Sequence, residues 1–370
     1  MLNAILPESY QFQSTNSFIH SVLRTLPNIL QRTWFFVFLL FRLLVITQQD
    51  IFSIASSADF ERAAWEIFQY QFENNAIYRS YCDLLCKHPS DIHSISGIPF
   101  LPIEFFKTRK VISGSPKIQK IFRSSGTTGV IRSQHHVADL QLYQKSGRKG
   151  FETFYGPLNN YAVLALLPSY SERNDASLVS MVEDWMSQSP HPANGFYLNN
   201  LNELTEVIEK LEATQQPTVL IGVTFALLDL AEKFPQPLKY TTLMETGGMK
   251  GKRKELIRKE VHAILTNAFQ VDQISSEYGM TELMSQAYSK GNGIFHCPPW
   301  MKVLVREQED PFQIARLGAT GGINIIDLAN IHSCSFLATH DLGRLHSDQS
   351  FEVLGRFDEA DIRGCNLMVI

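Results

Sequence analysis

Hydrophobic residues follow two different periods along most of the chain. Between residues 58 and 86 they recur at the spacing of a helix face, which predicts two amphipathic helices, the second starting near Asn75. The runs YAVLALL (161–167) and TVLIGV (Thr218–Val223) are continuously apolar, as is typical of strands buried in a parallel sheet. Further strands are predicted at 117–123, Thr241–Thr246 and 273–276, the last leading into a turn at Tyr278. Further helices are predicted at Leu140–Tyr155, 178–186, Leu201–Ala213, from the end of TVLIGV to Phe234, and 252–269.

After Phe295 the pattern changes to short strands separated by turns, at 301–305, 322–326, 335–338 and 351–354. Upstream, strands alternate with helices, as in α/β domains with a mostly parallel sheet. Residues 94–106 place two prolines among large apolar side chains, which predicts an ordered, extended connection. The predicted fold is therefore a large α/β domain of mostly parallel sheets with helices, plus a smaller β-rich subdomain.

The N-terminal segment WFFVFLLFRLLVI (34–46) is strongly apolar. It is shorter than a membrane-spanning helix and is interrupted by Arg42. As a signal peptide it would have a long leader and no convincing small-residue cleavage site. Three interpretations stay open: a membrane-touching appendage, an over-extended start with Val45 as the initiator, or an extra helix packed on the domain.

Composition narrows the functional class only a little. Of the 370 residues, 44% are hydrophobic and 19% are charged, which is enough for a sizeable globular core. The net charge of −4 and the pI of about 6.3 give no indication of a nucleic-acid-binding surface. The five cysteines are odd in number and irregularly spaced, unlike a disulfide framework, so we expect reduced thiols and a cytoplasmic protein.

A loop rich in glycine and hydroxyl groups follows the strand that ends at Arg123. It consists of Ser124, Ser125, Gly126, Thr127, Thr128 and Gly129. Glycines leave backbone N–H groups accessible and the hydroxyls add donors, so the loop suits a triphosphate. It lacks the Gly-Lys-Ser/Thr ending of a Walker A loop, and taken alone it is also compatible with a flexible turn.

The segment SEYGMTE (276–282) combines an aromatic residue, a glycine, a hydroxyl and a carboxylate. Tyr278 beside Gly279 can flank a flat base, and Thr281 adds a polar group. Glu282 can hold Mg²⁺, a hard cation that takes oxygen ligands and accompanies substrate phosphates. Taken alone, YGMTE is also compatible with a helix start that carries an N-terminal carboxylate.

Two further residues suit a nucleotide. Asp341 is predicted to lie in a turn, where its carboxylate can accept hydrogen bonds from both ribose hydroxyls, although a nearby glycine alone indicates only a turn. Arg356 follows the strand FEVL, and its permanently charged, forked guanidinium fits ribose or phosphate oxygens. The pair Gly247 and Gly248 ends another strand and by itself indicates a turn.

In order and spacing these motifs resemble the adenylate-forming superfamily of acyl-CoA synthetases, peptide-synthetase adenylation domains and luciferases. SSGTTG resembles its phosphate loop, YGMTE its adenine and Mg²⁺ turn, HDLGRL its ribose-binding aspartate, and GRFD its arginine-bearing hinge. The resemblance covers residue 58 to the C-terminus and implies ATP and Mg²⁺ as cofactors. It also implies catalytic roles for Thr128 and Arg356, and Gly247 and Gly248 beside the adenine. We expect an N-terminal extension (1–44), an adenylation domain (45–355), and a hinge with a short tail (356–370).

Within that superfamily the chain is most similar to the LuxE-type acyl-protein synthetases, through its length and the segments 98–107, 133–146 and 245–251. The chain stops at Ile370, where most superfamily members continue into a small mobile domain with a catalytic lysine, so we expect most of that domain to be missing. In LuxE-type proteins a cysteine close to the C-terminus accepts the acyl group, and Cys365 matches that position. Arg363 would favour its thiolate and Gly364 would let the tail move, although a tail cysteine can also be incidental.

The resemblance implies activation of a carboxylic acid, with a fatty acid the expected class, followed by acyl transfer to Cys365. The expected partners are that acid and an acyl-acceptor reductase or carrier protein, without nucleic acid, and with membrane contact only through the apolar N-terminal stretch. One alternative transfers the acyl group to coenzyme A or a carrier thiol, and another is a non-catalytic nucleotide-binding module. His135 and His136 either lie near the acyl pocket or have a packing role. The basic run at 250–259 either docks an acidic carrier protein or is a solvated helix face.

Overall fold

Helices and strands alternate along the chain in a computed structural model, which describes residues 51–125, 131–169, 173–247 and 256–357. The helices are α1 (Ser57–Asn74), α2 (Ala76–Leu84), α3 (Phe105–Thr108), α4 (Leu140–Tyr155), α5 (Ser177–Gln188), α6 (Leu201–Ala213), α7 (Thr224–Lys233) and α8 (Arg258–Phe269). The strands are β1 (Leu101–Pro102), β2 (Lys120–Arg123), β3 (Gln134–Val137), β4 (Ala162–Leu166), β5 (Gly195–Phe196), β6 (Thr218–Val223), β7 (Thr241–Thr246), β8 (Ser275–Tyr278), β9 (Ala287–Ser289), β10 (Ile294–Phe295), β11 (Met301–Arg306), β12 (Thr320–Asp327), β13 (Phe336–Leu345) and β14 (Phe351–Arg356).

The first large sheet has the strand order β5-β4-β6-β7-β8-β9. Its first five strands are parallel and β9 is antiparallel. Strands β4 and β6 are buried at every position, as their unbroken apolar runs predict. Helix α4 packs on β9, α5 packs on β4, and α7 packs on β6 and β7. Because parallel strands end at one edge, Thr246 and Tyr278 close β7 and β8 on the same side of the sheet.

The second large sheet is the predicted β-rich part of the chain. Strands β10-β14-β13-β12-β11 are antiparallel neighbours, and β1 joins β13 in parallel. Strand β13 extends well beyond the predicted 335–338, so Asp341 lies within a strand and the prediction of a turn there is wrong. A side chain at Gly343 would place its Cβ 2.5 Å from the carbonyl oxygen of Glu352, so this glycine permits close approach of β14.

The helices near the start of the described chain agree with the sequence pattern. The Ser56 hydroxyl caps α1 by accepting a hydrogen bond from the N–H of Asp59 at 3.1 Å. Asn75 caps α2 through Tyr78 N–H at 3.0 Å, where the second helix was predicted to begin. Downstream, the predicted extended connection 94–106 also contains a 3₁₀ turn at Ile95–Gly97, as well as strand β1 and the start of α3.

Two predicted boundaries need correction. The helix predicted from residue 252 begins at Arg258, and Ile257 has an extended backbone whose N–H donates to the Glu260 carboxylate at 3.0 Å. Lysine, arginine and glutamate favour helix at any exposed position, which moved the predicted start too far upstream. Strand β8 continues through Tyr278, so this residue ends a strand and does not lie in the turn itself.

None of the helices within the described ranges has the length and apolar content needed to cross a bilayer. The apolar segment 34–46 lies outside the described residues, as does most of the basic run 250–259.

Candidate active site

The hairpin of β2 and β3 carries the glycine-rich loop, and its second strand adjoins the YGMTE turn. At the base of the loop, the N–H of Ser124 donates to the carbonyl of Ser133 at 3.1 Å. The N–H of Ser133 in turn donates to the Ser124 hydroxyl at 3.0 Å. Two residues further along, in β3, His135 contacts the carbonyl oxygen of Thr281 in the YGMTE turn. The two motifs, far apart in sequence, therefore lie side by side.

The structure describes the first two residues of the loop. Ser124 is half-buried and Ser125 is exposed, whereas Gly126, Thr127, Thr128 and Gly129 lie outside the described residues. The backbone at its base is braced by Arg132, whose guanidinium donates to the Ser124 carbonyl at 2.5 Å and to Asp175 at 2.7 Å. Burial tends to raise the pKa of Asp175, but hydrogen bonds from Arg132 and Arg173 outweigh it and lower the pKa. The loop thus starts from a fixed, ion-paired base.

His135 and Asn330 hold the YGMTE turn against the hairpin. The ring nitrogens of His135 lie 2.9 Å from the carbonyl oxygen of Thr281 and 3.1 Å from Asn330 Oδ1. Asn330 Nδ2 donates to the Glu282 carbonyl at 2.8 Å. Burial lowers the pKa of His135 to about 4, so the ring is neutral at physiological pH. Of the two interpretations of His135, the structure favours the packing role.

Glu282 is 5% exposed, and burial raises its pKa above the ordinary range. Hydrogen bonding from Ser133 and the charge of Lys107 lower that pKa in part. A buried carboxylate of this kind suits a divalent cation, because Mg²⁺ commonly takes one or two protein carboxylates and completes its shell with phosphates and water. Within the described ranges, no group of three or more His, Cys, Asp or Glu side chains could hold a metal ion. A magnesium ion that binds together with a triphosphate needs no such group, because the phosphates supply further oxygen ligands.

Tyr278, Asp341 and Arg356 meet where the two large sheets adjoin. The Tyr278 hydroxyl donates to Asp341 Oδ2 at 2.7 Å, and Arg356 Nε lies 3.7 Å from Asp341 Oδ1. Burial raises the pKa of Asp341, and the hydrogen bond from Tyr278 and the charge of Arg356 act against this. The Arg356 side chain is 55% exposed, so its guanidinium has room to contact a ligand.

Gly247 and Gly279 are needed for different reasons, one for its backbone conformation and the other for space. Gly247 has a φ of 69°, a left-handed conformation that favours glycine, and its carbonyl accepts from the Thr224 hydroxyl at 2.7 Å. A Cβ at Gly279 would lie 2.5 Å from Glu277 Oε1, so a larger residue here would displace that carboxyl group. Gly248 lies outside the described residues.

Asp327 is a buried carboxylate that the sequence did not single out. Its oxygens accept from the N–H groups of Met284 (2.8 Å), Ser285 (3.0 Å) and Ala329 (3.2 Å), and from the Ser285 hydroxyl (2.6 Å). Burial raises its pKa to about 6, against the effect of these hydrogen bonds. Asp327 thus fixes the backbone that immediately follows Glu282.

Two buried glutamates lie at the ends of the central strands. Glu245 on β7 accepts hydrogen bonds from Thr224 (2.8 Å) and Ser276 (3.2 Å) and lies 3.3 Å from His262 Nε2. Burial tends to raise the pKa of Glu245, but His262 and Arg258 outweigh this and lower it. Glu277 on β8 accepts from the Thr246 hydroxyl, and burial raises the pKa of Glu277 to about 7.

The raised pKa of Glu277 predicts a pH-dependent stability. Because the folded state binds this proton more tightly than the unfolded state, the contribution is present at low pH and is lost as pH rises through about 7. In Glu277→Gln the group does not titrate. We expect the free energy of unfolding of wild type, relative to this variant, to fall by roughly 2–3 kcal/mol between pH 5 and pH 8. Urea denaturation of both proteins across this range checks the sign, and a constant difference would contradict it.

A groove of about 1030 Å³ between α7 and α8 lies apart from these residues. It is lined by Leu228, Ala231, Glu232, Pro235, Gln236, Pro237, Leu256, Ala263, Ile264, Asn267, Ala268 and Gln270. None of the predicted site residues contributes to it.

Solved structures similar to this chain include MatB and a 2-hydroxyisobutyryl-CoA ligase. ATP-bound MatB from Rhodopseudomonas palustris is 16% identical over 66% of this chain and 49% of its own, with a TM-score of 0.50. The chain thus spans about half the length of the MatB structures it matches. An open form of 2-hydroxyisobutyryl-CoA ligase, in complex with 2-HIB-AMP and CoA, is 13% identical over 83% of this chain and 77% of its own, with a TM-score of 0.57. The same ligase in its postadenylation state, with R3-HIB-AMP, matches over 81% of this chain and 68% of its own, with a TM-score of 0.59.

The chain has the adenylate-forming ligase fold. At these identities the likeness shows the fold, and this confirms the predicted α/β architecture with its β-rich part. A scan of protein-family models gave no match, and neither did a search of curated protein sequences.

On this adenylate-forming fold, several predicted site residues gather in two adjoining places. The hairpin that includes Ser124 reaches the turn of Thr281 and Glu282 through His135 and Asn330, and Tyr278 bonds Asp341 beside Arg356. Cys365 lies outside the described residues. Sequence reasoning missed Ser133, Asn330, Asp327 and Glu277 as parts of this arrangement. The only sequence signal for Asp327 is a charged residue ending the apolar strand INIID.

Proposed function

We propose that this chain is an ATP-dependent ligase that activates a carboxylic acid as an acyl-adenylate and passes the acyl group to Cys365 as a thioester. The observation that carries the proposal is the contact of His135 with the carbonyl oxygen of Thr281 at 2.9 Å, which joins the hairpin that begins the hydroxyl-rich loop to the turn that contains Glu282. The contact of Tyr278 with Asp341, and of Asp341 with Arg356, adds a matching set of nucleotide-binding groups. A fatty acid is the substrate class that the LuxE-type resemblance implies.

Each group then has a defined role. The loop from Ser124 to Gly129 binds the phosphates, with Thr128 among the catalytic residues, and Gly247, Gly248, Tyr278 and Gly279 surround the adenine. Asp341 accepts hydrogen bonds from the ribose hydroxyls, and Arg356 contacts ribose or phosphate oxygens. Glu282 would hold Mg²⁺, which when bound neutralises phosphate charge.

The reaction proceeds in two displacements. The substrate carboxylate is already ionised near neutral pH and needs no general base. One of its oxygens bonds the α-phosphorus as the bond to pyrophosphate breaks, and the enzyme contributes positioning and charge neutralisation. The Cys365 thiolate then bonds the acyl carbon, the bond from that carbon to the AMP oxygen breaks, and a thioester and AMP result. An acyl-acceptor reductase or carrier protein would collect the acyl group.

A second candidate function is transfer to coenzyme A. It is favoured by the similarity to a 2-hydroxyisobutyryl-CoA ligase whose structure holds both an acyl-adenylate and CoA. In this case Cys365 is not acylated.

The adenylation step is tested by ATP–pyrophosphate exchange over a panel of carboxylic acids that differ in length and substitution. We expect exchange to depend on both magnesium and the acid. Zero exchange across the panel would instead support a non-catalytic nucleotide-binding module.

Replacing Cys365 with serine distinguishes the two acceptors. We expect wild type to become covalently labelled by a radioactive substrate acid, and Cys365→Ser to lose the label while keeping pyrophosphate exchange within about twofold, because adenylation does not use the thiol. Cys86→Ser, which changes an exposed cysteine, is the matched control and should label normally. Persistent labelling of Cys365→Ser, or formation of acyl-CoA by both proteins at equal rates, would contradict transfer to Cys365.

A further inference from the structure

A second set of buried polar side chains lies just below the ends of β7 and β8, on the face of the sheet next to α4. We call Thr246, Glu277, Gln286 and Tyr288 the Glu277 cluster. Glu277 pairs with Tyr288 across β8 and β9, and its carboxyl group accepts from the Thr246 hydroxyl. Glu277 is 8% exposed, Gln286 5% and Tyr288 0%. The function proposed above gives this cluster no role.

The cluster lies directly next to residues proposed to bind the nucleotide. Thr246 is followed by Gly247, and Glu277 is followed by Tyr278. The Cβ position of Gly279 is 2.5 Å from Glu277 Oε1 and 3.2 Å from Gln286 Cγ, so Gly279 closes over both side chains. In open parallel sheets, ligands bind beyond the carboxyl ends of the strands. An acid that reacts with ATP at this edge would therefore reach the cluster with its acyl end.

Two polar atoms of the cluster lack a partner among the residues that the structure describes. They are the Tyr288 hydroxyl and Gln286 Oε1, both fully enclosed by protein. Buried polar groups in folded proteins are nearly always hydrogen-bonded, and an unpaired one is costly. These two atoms therefore indicate a partner that does not come from the described chain.

The residues of helix α4 that lie next to the cluster include two glycines. A Cβ at Gly147 would lie 3.7 Å from Gln286 Oε1, and a Cβ at Gly150 would lie 3.6 Å from the Tyr288 ring. Larger side chains here would cover the unpaired atoms.

The side chains of the cluster are mainly hydrogen-bond acceptors. Gln286 Oε1 accepts hydrogen bonds, as do both oxygens of Glu277 when it is ionised, and the Tyr288 hydroxyl can accept or donate. Burial and the nearby carboxylate of Glu245 both raise the pKa of Glu277. Such a site favours a group that donates hydrogen bonds, as a hydroxyl or an ammonium group does.

We propose that the Glu277 cluster determines substrate specificity by binding a hydrogen-bond-donating substituent, a hydroxyl or an ammonium group, on the carboxylic acid. This inference rests on the proposed function and refines its substrate. A hydroxylated fatty acid carries such a substituent and also belongs to the expected class of acids.

The test compares acids of one chain length that carry hydrogen, hydroxyl or ammonium at carbon 2 or carbon 3. Pyrophosphate exchange is measured with wild type, Glu277→Gln, Glu277→Leu and the control Glu183→Gln, which changes an exposed glutamate on α5. We expect wild type and the control to prefer a substituted acid over its parent by roughly tenfold to a hundredfold in kcat/KM. Glu277→Leu should abolish this preference, because the substituent then loses its hydrogen-bond partner.

The Glu277→Gln variant identifies the substituent and also guards against a folding defect in Glu277→Leu, which a thermal melt would detect. A preference that survives in Glu277→Gln assigns a hydroxyl, since an amide still exchanges hydrogen bonds with it. A preference lost in Glu277→Gln assigns an ammonium group, since the negative charge is gone.

Equal use of substituted and parent acids by wild type would overturn the inference while leaving the proposed function intact. If only water fills the cluster, both Glu277 variants should lower the exchange of every acid by one common factor. That result would also overturn the inference. Absence of exchange with every acid in wild type would overturn the proposed function and this inference together.

Discussion

Glu282→Gln is expected to lower ATP–pyrophosphate exchange by a factor of about 10² to 10³, the scale seen when one preorganised electrostatic contact to a reacting group is removed. The substitution keeps the size of the side chain and removes the charge that would hold Mg²⁺. Because burial already raises the pKa of Glu282, a neutral side chain costs the fold little. Asn330 still donates to the backbone carbonyl of residue 282.

The measurement is pyrophosphate exchange against magnesium concentration, together with a thermal melt. We expect the variant to melt within a few degrees of wild type and to need more magnesium for half-maximal exchange. Glu309→Gln, an exposed glutamate in the loop between β11 and β12, is the matched control and should behave as wild type. Near-normal exchange by Glu282→Gln at limiting magnesium would remove Glu282 from the proposed site.

The element pattern could be predicted from sequence because each segment carries its own local signal. The bounds of Leu140–Tyr155, Leu201–Ala213, Thr218–Val223 and Thr241–Thr246 match the prediction. These segments are amphipathic or almost entirely buried, so the pattern of apolar residues alone identifies them. The boundary before Arg258 failed because exposed charged residues favour helix whether or not a helix forms there.

The Asp341 segment shows a different limit. An aspartate shortly before a glycine is common in turns, and nothing local distinguishes that case from a strand. In the folded chain Gly343 is needed for the close approach of Glu352 on β14, a contact set by strand pairing. Asp341 pairs with Arg356 in the same register, so the proximity of these residues follows from the sheet.

The site motifs could be located from sequence, but the residues that join them could not. His135 bonds Thr281 across 146 positions, and Gln71 reaches the carbonyl of Ile331 across 260. Such contacts depend on how the two large sheets and the hairpin pack together, which periodicity does not report. The same holds for Glu277, whose importance appears only when Tyr288 and Gln286 are seen beside it.

Asp341→Ala is expected to raise the KM for ATP by about tenfold to a hundredfold, because it removes the proposed ribose acceptor and leaves buried groups unpaired. The carboxylate accepts from the Tyr278 hydroxyl and faces Arg356, so its loss affects all three contacts. Asp341→Asn keeps the shape and an acceptor for Tyr278, and should raise KM less than alanine does.

The contribution of Tyr278 can be separated with a double-mutant cycle. Tyr278→Phe keeps the ring contacts with Phe295 and Phe351 but removes the hydroxyl that bonds Asp341. If the hydroxyl acts by orienting the carboxylate, Tyr278→Phe should raise the KM for ATP in wild type and have little further effect in Asp341→Ala. Asp272→Asn, an exposed aspartate before β8, is the control. An unchanged KM for ATP in Asp341→Ala would exclude Asp341 as the ribose contact, and full additivity with Tyr278→Phe would show that the hydroxyl acts elsewhere.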